Sequence, residues 1–292
     1  MIRRPATRMI LGLAFAALLA AGAAQAQPPV WTVRDADSEL LLFGSVHVLP
    51  PGLAWKPAAL VRAMQTADDL WFELPVDPAS NDEAGRLAAR AGVLPPGETL
   101  SALLKPADRA RLARVAEQYG ASLPLLDRLQ PWLAEVALAE AAYRRDGGRT
   151  EHGVEQSLAA ELGPAVQRRA FETVTEQIAL FSGAPRPEQI ASLRQTLAEM
   201  EARPSQFAAL VQAWMSGDTA AIDREALAPL KRASPVVFKR FLTDRNARWM
   251  PVLRQRLAGS GRTVVVVGVG HLVGKGGLPA QLRALGYSVE GP

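Results

Sequence analysis

The sequence of 292 residues contains no cysteine and only three histidines. Without cysteine the chain has no disulfide framework and no thiol nucleophile, and it cannot be lipidated on an N-terminal cysteine. It also lacks the Gly-x-Ser-x-Gly elbow of serine hydrolases and the His-Glu-x-x-His motif of zincin-type proteases. Its stability must therefore come from a packed core, and these hydrolase classes are excluded.

The one long uncharged apolar run stands at the N-terminus, over residues 9–24. Arginines at positions 3, 4 and 8 precede this run, and it ends in Ala24-Gln25-Ala26. A basic start, an apolar middle and an Ala-x-Ala end are typical of a secretory signal peptide, so we expect cleavage after Ala26 rather than a retained anchor. The sequence thus predicts a signal peptide over residues 1–26, a periplasmic or secreted protein, and no stable membrane span after cleavage.

The positive charge of the chain is concentrated in this leader. The formal net charge is +4, and the three arginines are the only charged residues among residues 1–26, so the mature chain carries about +1. A net charge this small gives no reason to expect a nucleic-acid partner. The hydrophobic content of 49% and the remaining length predict a single globular domain over residues 27–292.

Apolar runs at both ends of the mature chain predict strands, whereas the middle predicts helices. The clearest buried strand is Thr263–Val267, where four valines follow a threonine. Helices are predicted at 57–67, at 81–91 with Asn81 as the cap, and at 236–257. Other strands are predicted at 30–34, 40–46, 69–74, 165–171 and 287–290. The order indicates an α/β protein with α+β character: a mixed central sheet with helices on its faces and a mostly helical section at about 101–165.

Two histidines stand in matching contexts, each separated by two residues from a glycine that ends an apolar strand. One segment is Gly44-Ser45-Val46-His47, and the other includes Gly268-Val269-Gly270-His271. Two glutamates, Glu73 and Glu172, also follow apolar strands. Because ligands of open α/β sheets bind beyond the carboxyl ends of strands, these side chains are predicted to share one polar site. Imidazole and carboxylate ligands suit Zn, Mn, Fe or Co, while a glutamate could instead act as a general base.

Each of these residues also has a purely structural interpretation. A single histidine at a strand end is more often hydrogen-bonded than a ligand, and a glutamate there often caps a helix or pairs with a base. The third histidine, His152, is expected to be a cap or an exposed residue. Arg245 and Asn246 lie in a predicted helix, where the simplest expectation is an exposed polar face.

Several motifs, in order and spacing, resemble the TraB/GumN family over about residues 40–289. The segments that carry the resemblance are Phe43-Gly44-Ser45-Val46-His47, Asp69-Leu70-Trp71-Phe72-Glu73, Phe171-Glu172-Thr173, Arg245-Asn246 and Val267-Gly268-Val269-Gly270-His271. The resemblance implies a fold related to erythromycin esterase, haem-binding ChaN proteins and Tiki-type membrane proteases. The Tiki branch implies peptide hydrolysis that depends on a divalent metal.

Carried over residue by residue, the resemblance makes His47, His271, Glu73 and Glu172 the metal ligands. It makes Arg245 and Asn246, together with the two glutamates, the catalytic candidates, and leaves open which glutamate is ligand and which is base. We therefore expect an exported hydrolase using Mn, Co, Fe or Zn on a peptide, amide or other small-molecule substrate. The competing hypotheses are a non-catalytic accessory protein that binds haem, metal or an exported polymer, and a scaffold whose polar site is only structural.

Overall fold

The protein is described from a computed structural model that covers residues 27–292. The signal peptide expected over residues 1–26 lies outside the described residues. Within residues 27–292, no helix combines the length and the apolar character needed to cross a bilayer.

The strands and helices alternate at both ends of the described chain. The strands are β1 (Val30–Arg34), β2 (Ser38–Ser45), β3 (Asp69–Phe72), β4 (Gln167–Ala170), β5 (Gly261–Gly268) and β6 (Ser288–Glu290). The α-helices are α1 (Ala58–Thr66), α2 (Pro78–Gly92), α3 (Leu100–Leu103), α4 (Pro106–Tyr119), α5 (Leu123–Leu126), α6 (Pro131–Arg145), α7 (Val154–Glu161), α8 (Val174–Ser182), α9 (Arg186–Ala202), α10 (Gln206–Met215), α11 (Thr219–Ile222), α12 (Ala228–Ala233), α13 (Pro235–Phe238), α14 (Asp244–Leu257) and α15 (Leu278–Ala284). Two 3-10 helices span Thr150–His152 and Val269–His271, and two π-helical turns span Asp223–Leu227 and Lys239–Thr243.

The strands form one six-stranded mixed sheet in the order β4-β3-β5-β2-β1-β6. The strands from β4 to β2 run parallel, whereas β1 pairs antiparallel with both β2 and β6. The four valines of β5 are fully buried, as expected for a central parallel strand covered on both faces. The predicted α/β class with a mixed sheet is confirmed.

The register of the parallel strands places their carboxyl ends at one edge. Ser45 of β2 pairs with Gly268 of β5, and Phe72 of β3 pairs with Val266 of β5 and with Ala170 of β4. The segments that follow these strands therefore emerge side by side. The four predicted metal ligands, His47, Glu73, Glu172 and His271, lie in these segments.

Two hydrophobic clusters hold the helices in place. The first surrounds the sheet and includes Phe43, Phe72, Trp214 and Trp249. The second joins helices between Leu94 and Leu197 and contains no strand residue. Helices α3 to α7 account for most of residues 100–161, where the sequence predicted a mostly helical section.

Two helix boundaries differ from the sequence prediction. Helix α2 begins at Pro78, not Asn81, and Asp77 caps it because its carboxylate accepts the backbone N–H of Ser80 at 2.9 Å. Proline at the first helical position suits this start, since its fixed φ is already helical. The helix predicted over 236–257 begins at Pro235 and contains the π-helical turn Lys239–Thr243 before α14.

Candidate active site

The first Gly-x-x-His segment is held by the start of α7. The backbone N–H of Val154 donates to the carbonyl of Val46 at 3.1 Å. Gly153, just before this helix, lies so close to the loop that a Cβ there would sit 2.0 Å from the carbonyl oxygen of His47. Only glycine permits this approach, so the α7 N-terminus and the His47 loop are fitted to each other.

Helix α7 delivers a carboxylate to His47. Glu155, in its first turn, accepts a hydrogen bond from the Ser45 hydroxyl at 2.5 Å and contacts Nδ1 of His47 at 2.8 Å. The Glu155 side chain is 14% exposed, whereas that of His47 is 63% exposed. The negative charge of Glu155 raises the pKa of His47 to about 9, so the imidazole is protonated at neutral pH. The pair fixes Nδ1 of the ring and leaves Nε2 free for other contacts.

Glu73, immediately after β3, is buried and reaches the second Gly-x-x-His segment. One of its oxygens accepts the backbone N–H of Gly268 at 2.7 Å and lies 3.6 Å from Nε2 of His271. Burial alone would raise the pKa of Glu73, but the neighbouring His271, the positive charges of Arg245 and His47, and this hydrogen bond lower the pKa to about 2. Glu73 is therefore ionised throughout the physiological range.

Arg245 of α14 lies between the two glutamates. Its Nη2 donates to Glu73 at 2.6 Å, and its Nε and Nη2 form a bidentate pair with Glu172 at 2.9–3.1 Å. Nη2 also donates to Gln177 at 3.1 Å. A planar guanidinium suits such a fork-shaped contact better than an ammonium would, and here it links the ends of β3 and β4 to α14.

Glu172 is fully engaged in this network. Besides Arg245, it accepts from Arg248 at 3.0 Å and from the indole N–H of Trp249 at 3.1 Å. The next residue, Thr173, starts α8 with a capping box in which Glu176 binds back to the Thr173 backbone. The carboxylate is therefore held in a fixed position by its neighbours along the chain and by α14.

His271 is buried beneath Asn246. Its Nδ1 lies 2.6 Å from Oδ1 of Asn246, and its Nε2 lies 3.1 Å from Nη1 of Arg245. Because Asn246 also donates through Nδ2 to the backbone carbonyls of His271 and Gly276, its Oδ1 must be the acceptor of the ring N–H. Burial lowers the pKa of His271 to about 4, so at neutral pH the ring is uncharged and protonated on Nδ1.

The structure thus brings the predicted residues to one sheet edge in two groups. Glu73, Glu172, His271, Arg245 and Asn246 form a buried network, and His47 faces it from the Glu155 side. The two groups meet above Gly268, where an added Cβ would lie 3.1 Å from Glu73, 3.8 Å from His271 and 3.8 Å from Nε2 of His47. The structural alternative that places Arg245 and Asn246 on an exposed polar face is wrong, since they are 4% and 2% exposed, and their catalytic role stays a prediction.

The arrangement does not fit a divalent metal ion held by the four predicted ligands. Glu172 is saturated by three donors, and the Nε2 of His271 that would bind a metal faces the guanidinium of Arg245. A metal there would lie against a fixed positive charge. Among the described residues, no group of three or more His, Cys, Asp or Glu side chains converges closely enough to hold an ion. The buried positive charge that the two glutamates share is that of Arg245.

A cavity of about 250 Å³ opens beside His47. Its polar wall includes His47, Glu73, Glu155 and Gln177, and its apolar wall comes from the segment after β3. The lining residues are His47, Phe72, Glu73, Leu74, Pro75, Val76, Asn81, Thr150, Glu155, Gln156 and Gln177. A small molecule, or a short segment of a polymer, that occupies this cavity would contact both His47 and Glu73.

Glu155 is a residue of this site that the sequence did not suggest. In the sequence it is an acid in the first turn of a helix, which is a common arrangement because acids there are stabilised by the helix dipole. Its partner His47 lies 108 positions earlier. The role of Glu155 is identified only by the position of α7 against the loop that follows β2 and carries His47.

Comparison with known proteins agrees with the motif resemblance. A family model described as TraB/PrgY/gumN family matches residues 29–291. The uncharacterized protein YbaP of Escherichia coli is 24% identical over 246 residues, which cover 83% of this chain and 87% of that protein. YbaP of Shigella flexneri matches to the same extent. An uncharacterized protein of Treponema pallidum is 22% identical over 257 residues, which cover 84% of this chain and 76% of that protein.

Proposed function

The chain belongs to the TraB/PrgY/gumN family, and from that premise and the site geometry we propose that it is an exported hydrolase of peptide or amide bonds that works in the cavity beside His47. The observation that carries the proposal is the His47–Glu155 pair. A well-covered carboxylate holds Nδ1 of an exposed imidazole, which leaves Nε2 to act on a substrate in the cavity.

His47 is assigned the role of general acid. Its raised pKa keeps it protonated at neutral pH, so Nε2 can donate a proton to the leaving nitrogen when the C–N bond breaks. Glu73 lines the same cavity and is ionised. It accepts the proton that the attacking water loses as the water oxygen bonds to the carbonyl carbon. A later proton transfer from Glu73 to His47 restores both groups.

Arg245 and Asn246 are assigned positioning roles. Arg245 keeps Glu73 ionised and fixes its direction through the 2.6 Å hydrogen bond. Asn246 fixes the tautomer of His271, so that Nε2 accepts from Arg245 and does not present a second N–H to that cation. Glu172 lies behind Arg245 and holds it in place.

The test is a cleavage screen of the protein over residues 27–292 against a mixture of short peptides, read by mass spectrometry. Glu155→Gln and His47→Gln are compared with His152→Gln, which changes the one histidine that lies outside the site. Loss of a general acid costs roughly 10²–10⁴-fold in rate. We expect a loss of that size in His47→Gln, a smaller loss in Glu155→Gln, in which a fraction of His47 stays protonated at neutral pH, and an unchanged rate in His152→Gln.

Elemental analysis of the wild type, His47→Ala and His271→Ala separates this mechanism from the metal-dependent one. Cleavage that persists in a chelator and without a stoichiometric ion supports the His47–Glu155 mechanism. About one equivalent of Mn, Co, Fe or Zn, lost together with activity in both His47→Ala and His271→Ala, would replace it with the metal mechanism. Saturable binding of haem or a polysaccharide with no cleavage of any peptide would overturn the hydrolase and favour the accessory role.

A further inference from the structure

Gln177 of α8 contacts both the buried network and the cavity beside His47. Its Oε1 accepts from Nη2 of Arg245 at 3.1 Å, and the residue belongs to the lining of the cavity. The same Nη2 donates to Glu73 at 2.6 Å, so Glu73 and Gln177 are bound to one nitrogen atom. The amide of Gln177 therefore lies next to the carboxylate that is assigned to the attacking water.

The contact with Arg245 fixes which way the amide of Gln177 points. A guanidinium has only donors, so the amide atom that faces it must be the oxygen, and the nitrogen is turned away from it. Within residues 27–292, Nε2 of Gln177 donates to no protein atom and is not one of the buried atoms without a partner, so it has accessible surface. The open space that this half-buried residue lines is the His47 cavity.

The proposed reaction needs a donor that neither His47 nor Glu73 supplies. His47 is assigned to the leaving nitrogen and Glu73 to the water, which leaves the carbonyl oxygen of the substrate without a partner. When the water adds to the carbonyl carbon, the π electrons of the C=O bond move onto this oxygen, which becomes an oxyanion. An N–H group placed there in advance stabilises the charge as it develops and costs no reorganisation.

Arg245 itself has no N–H left for this purpose. Its Nε and Nη2 are used by the acids and by Gln177, and its Nη1 lies 3.1 Å from Nε2 of His271 and 3.4 Å from the carbonyl of Phe241. The side chain is also only 5% exposed. Of the side chains bound to Arg245 in residues 27–292, Gln177 is the one that still has free N–H groups.

The other amides of the cavity are not held in this way. Asn81 and Gln156 also belong to the lining, but their side chains make no hydrogen bond with residues 27–292. Their orientation is therefore not fixed before a substrate arrives. Gln177 is the amide of this cavity that is already oriented by a buried partner.

We propose that Gln177 binds the carbonyl oxygen of the substrate through Nε2 and stabilises the oxyanion that forms there. The inference rests on the hydrolysis proposed above and adds a third catalytic residue beside His47 and Glu73. The water oxygen bonds to the carbonyl carbon while Glu73 takes the proton. The oxyanion then re-forms the C=O bond, and the C–N bond breaks as its electron pair leaves with the nitrogen, which His47 protonates.

Two variants remove the donor. Gln177→Met has no N–H group at similar volume, whereas Gln177→Glu keeps an acceptor for Arg245 and loses both N–H groups. Loss of one oxyanion donor costs roughly 10²–10³-fold in kcat, and we expect a loss of at least this size in both variants. Gln212→Met, in an exposed residue of α10 outside the cavity, is the matched control and should cleave as the wild type does. Unchanged cleavage in both Gln177 variants would overturn the proposal.

A substrate with sulfur at the scissile carbonyl separates direct contact from an effect transmitted through Arg245. A peptide cleaved in the screen is compared with its thioamide, because sulfur is a weaker acceptor than oxygen. If Nε2 touches this atom, Gln177→Met should slow cleavage of the amide roughly tenfold more than cleavage of the thioamide. Equal fold losses for the two substrates would show that Gln177 only supports Arg245, and would overturn the proposal.

Binding without turnover gives a test that does not depend on cleavage. The side-chain NH₂ resonance of Gln177 in ¹⁵N-labelled protein is identified by its absence in Gln177→Met. The probe is N-acetyl-leucinamide, which has carbonyl oxygens for this group and an apolar side chain for Leu74, Pro75 and Val76. We expect a saturable shift of the resonance. If the wild type cleaves no peptide, the proposed hydrolysis fails. A saturable shift would then still support carbonyl binding by Gln177, and no shift would overturn that as well.

Discussion

The guanidinium of Arg245 decides how the acids at the sheet edge are arranged. It is bound to Glu73, Glu172 and Gln177 and contacts His271, and its plane lies over the ring of Trp249 at 4.7 Å. Two buried carboxylates with no cation between them would repel each other and lose their hydration. Arg245 therefore stabilises the site by making the burial of both acids tolerable.

Arg245→Met should destabilise the protein strongly, because it leaves two carboxylates buried without their main partner. We expect a loss of about 3–5 kcal/mol in the free energy of unfolding, measured by urea denaturation. Arg248→Met is the matched control. Arg248 donates to the same Glu172, but its side chain is 51% exposed, so its loss should cost no more than about 1 kcal/mol. Similar losses in both variants would contradict this role of Arg245.

The proton on His47 makes the proposed reaction depend on pH in a specific direction. A general acid acts in its protonated form, so kcat/KM should fall as the pH rises through about 9, where His47 loses its proton. In Glu155→Gln the carboxylate that raises the pKa is gone, so the falling limb should move toward the ordinary histidine value near 6.5. Rates that rise through pH 9, or a limb that stays in place in Glu155→Gln, would rule out this assignment.

Buried His271 makes the fold sensitive to acid. Its pKa is lowered to about 4, so between pH 6.5 and 4 the unfolded chain binds a proton that the folded chain excludes. Stability is therefore present above pH 6.5 and is lost as the pH falls toward 4. The difference in pKa corresponds to roughly 3 kcal/mol. In His271→Asn the urea midpoint should change less over this interval than it does in the wild type, and an equal change in both would contradict the explanation.

At the scale of elements, strand ends were the part of the site that the sequence could predict. An apolar run followed by glycine and a polar residue marks the end of a buried strand, and parallel strands end at one edge, so His47, Glu73, Glu172 and His271 were brought together by pattern alone. The sequence of a helix indicates less clearly which of its residues reach the site. The polarity of Arg245 and Asn246 indicated an exposed face, because nothing local to α14 shows that buried acids from β3 and β4 will meet it.

Helix α2 offers a comparison between two glycines in one element. An added Cβ at Gly85, in the middle of the helix, meets nothing within 4 Å, whereas at Gly92 it would lie 2.3 Å from Cδ2 of Leu133. Gly85→Ala should stabilise the protein by roughly 0.5–1 kcal/mol, because alanine loses less backbone entropy in a helix. Gly92→Ala should destabilise it by about 1–3 kcal/mol through overpacking. Thermal unfolding should show opposite signs, and the same sign in both would contradict the packing described for Gly92.

Across the whole molecule, the site is assembled from remote parts of the chain. Strand β3 lies between β4 and β5, and β5 lies between β3 and β2, so neighbours in the sheet are far apart in sequence. Composition and periodicity identify the strands but do not specify this order. The matching contexts of the two Gly-x-x-His segments indicated that they belong together, and only the folded chain places Glu155 beside the first of them.

The sheet order predicts that the edge strands open before the central ones. In hydrogen exchange, we expect the amides of β5, at Val264–Val267, to be the last to exchange, because this strand is paired and covered on all sides. The short edge strand β6, which pairs only with β1, should exchange much earlier. Equal rates for β5 and β6 would contradict the assignment of β5 as the centre of the fold.

Because β1 pairs with β6, the two ends of the described chain lie side by side. The order of the elements along the chain could therefore be changed without changing the sheet. Thr32 lies opposite Glu290, and the Trp31 indole donates to the carbonyl of Pro292 at 2.8 Å, so the first and last described strands are neighbours. A short linker would close residues 27–292 into a ring, and the ring could be reopened at the exposed Gly163, between α7 and β4. In such a circular permutant, Glu155 and Glu172 would stand near opposite ends of the chain and still lie at the same edge of the sheet.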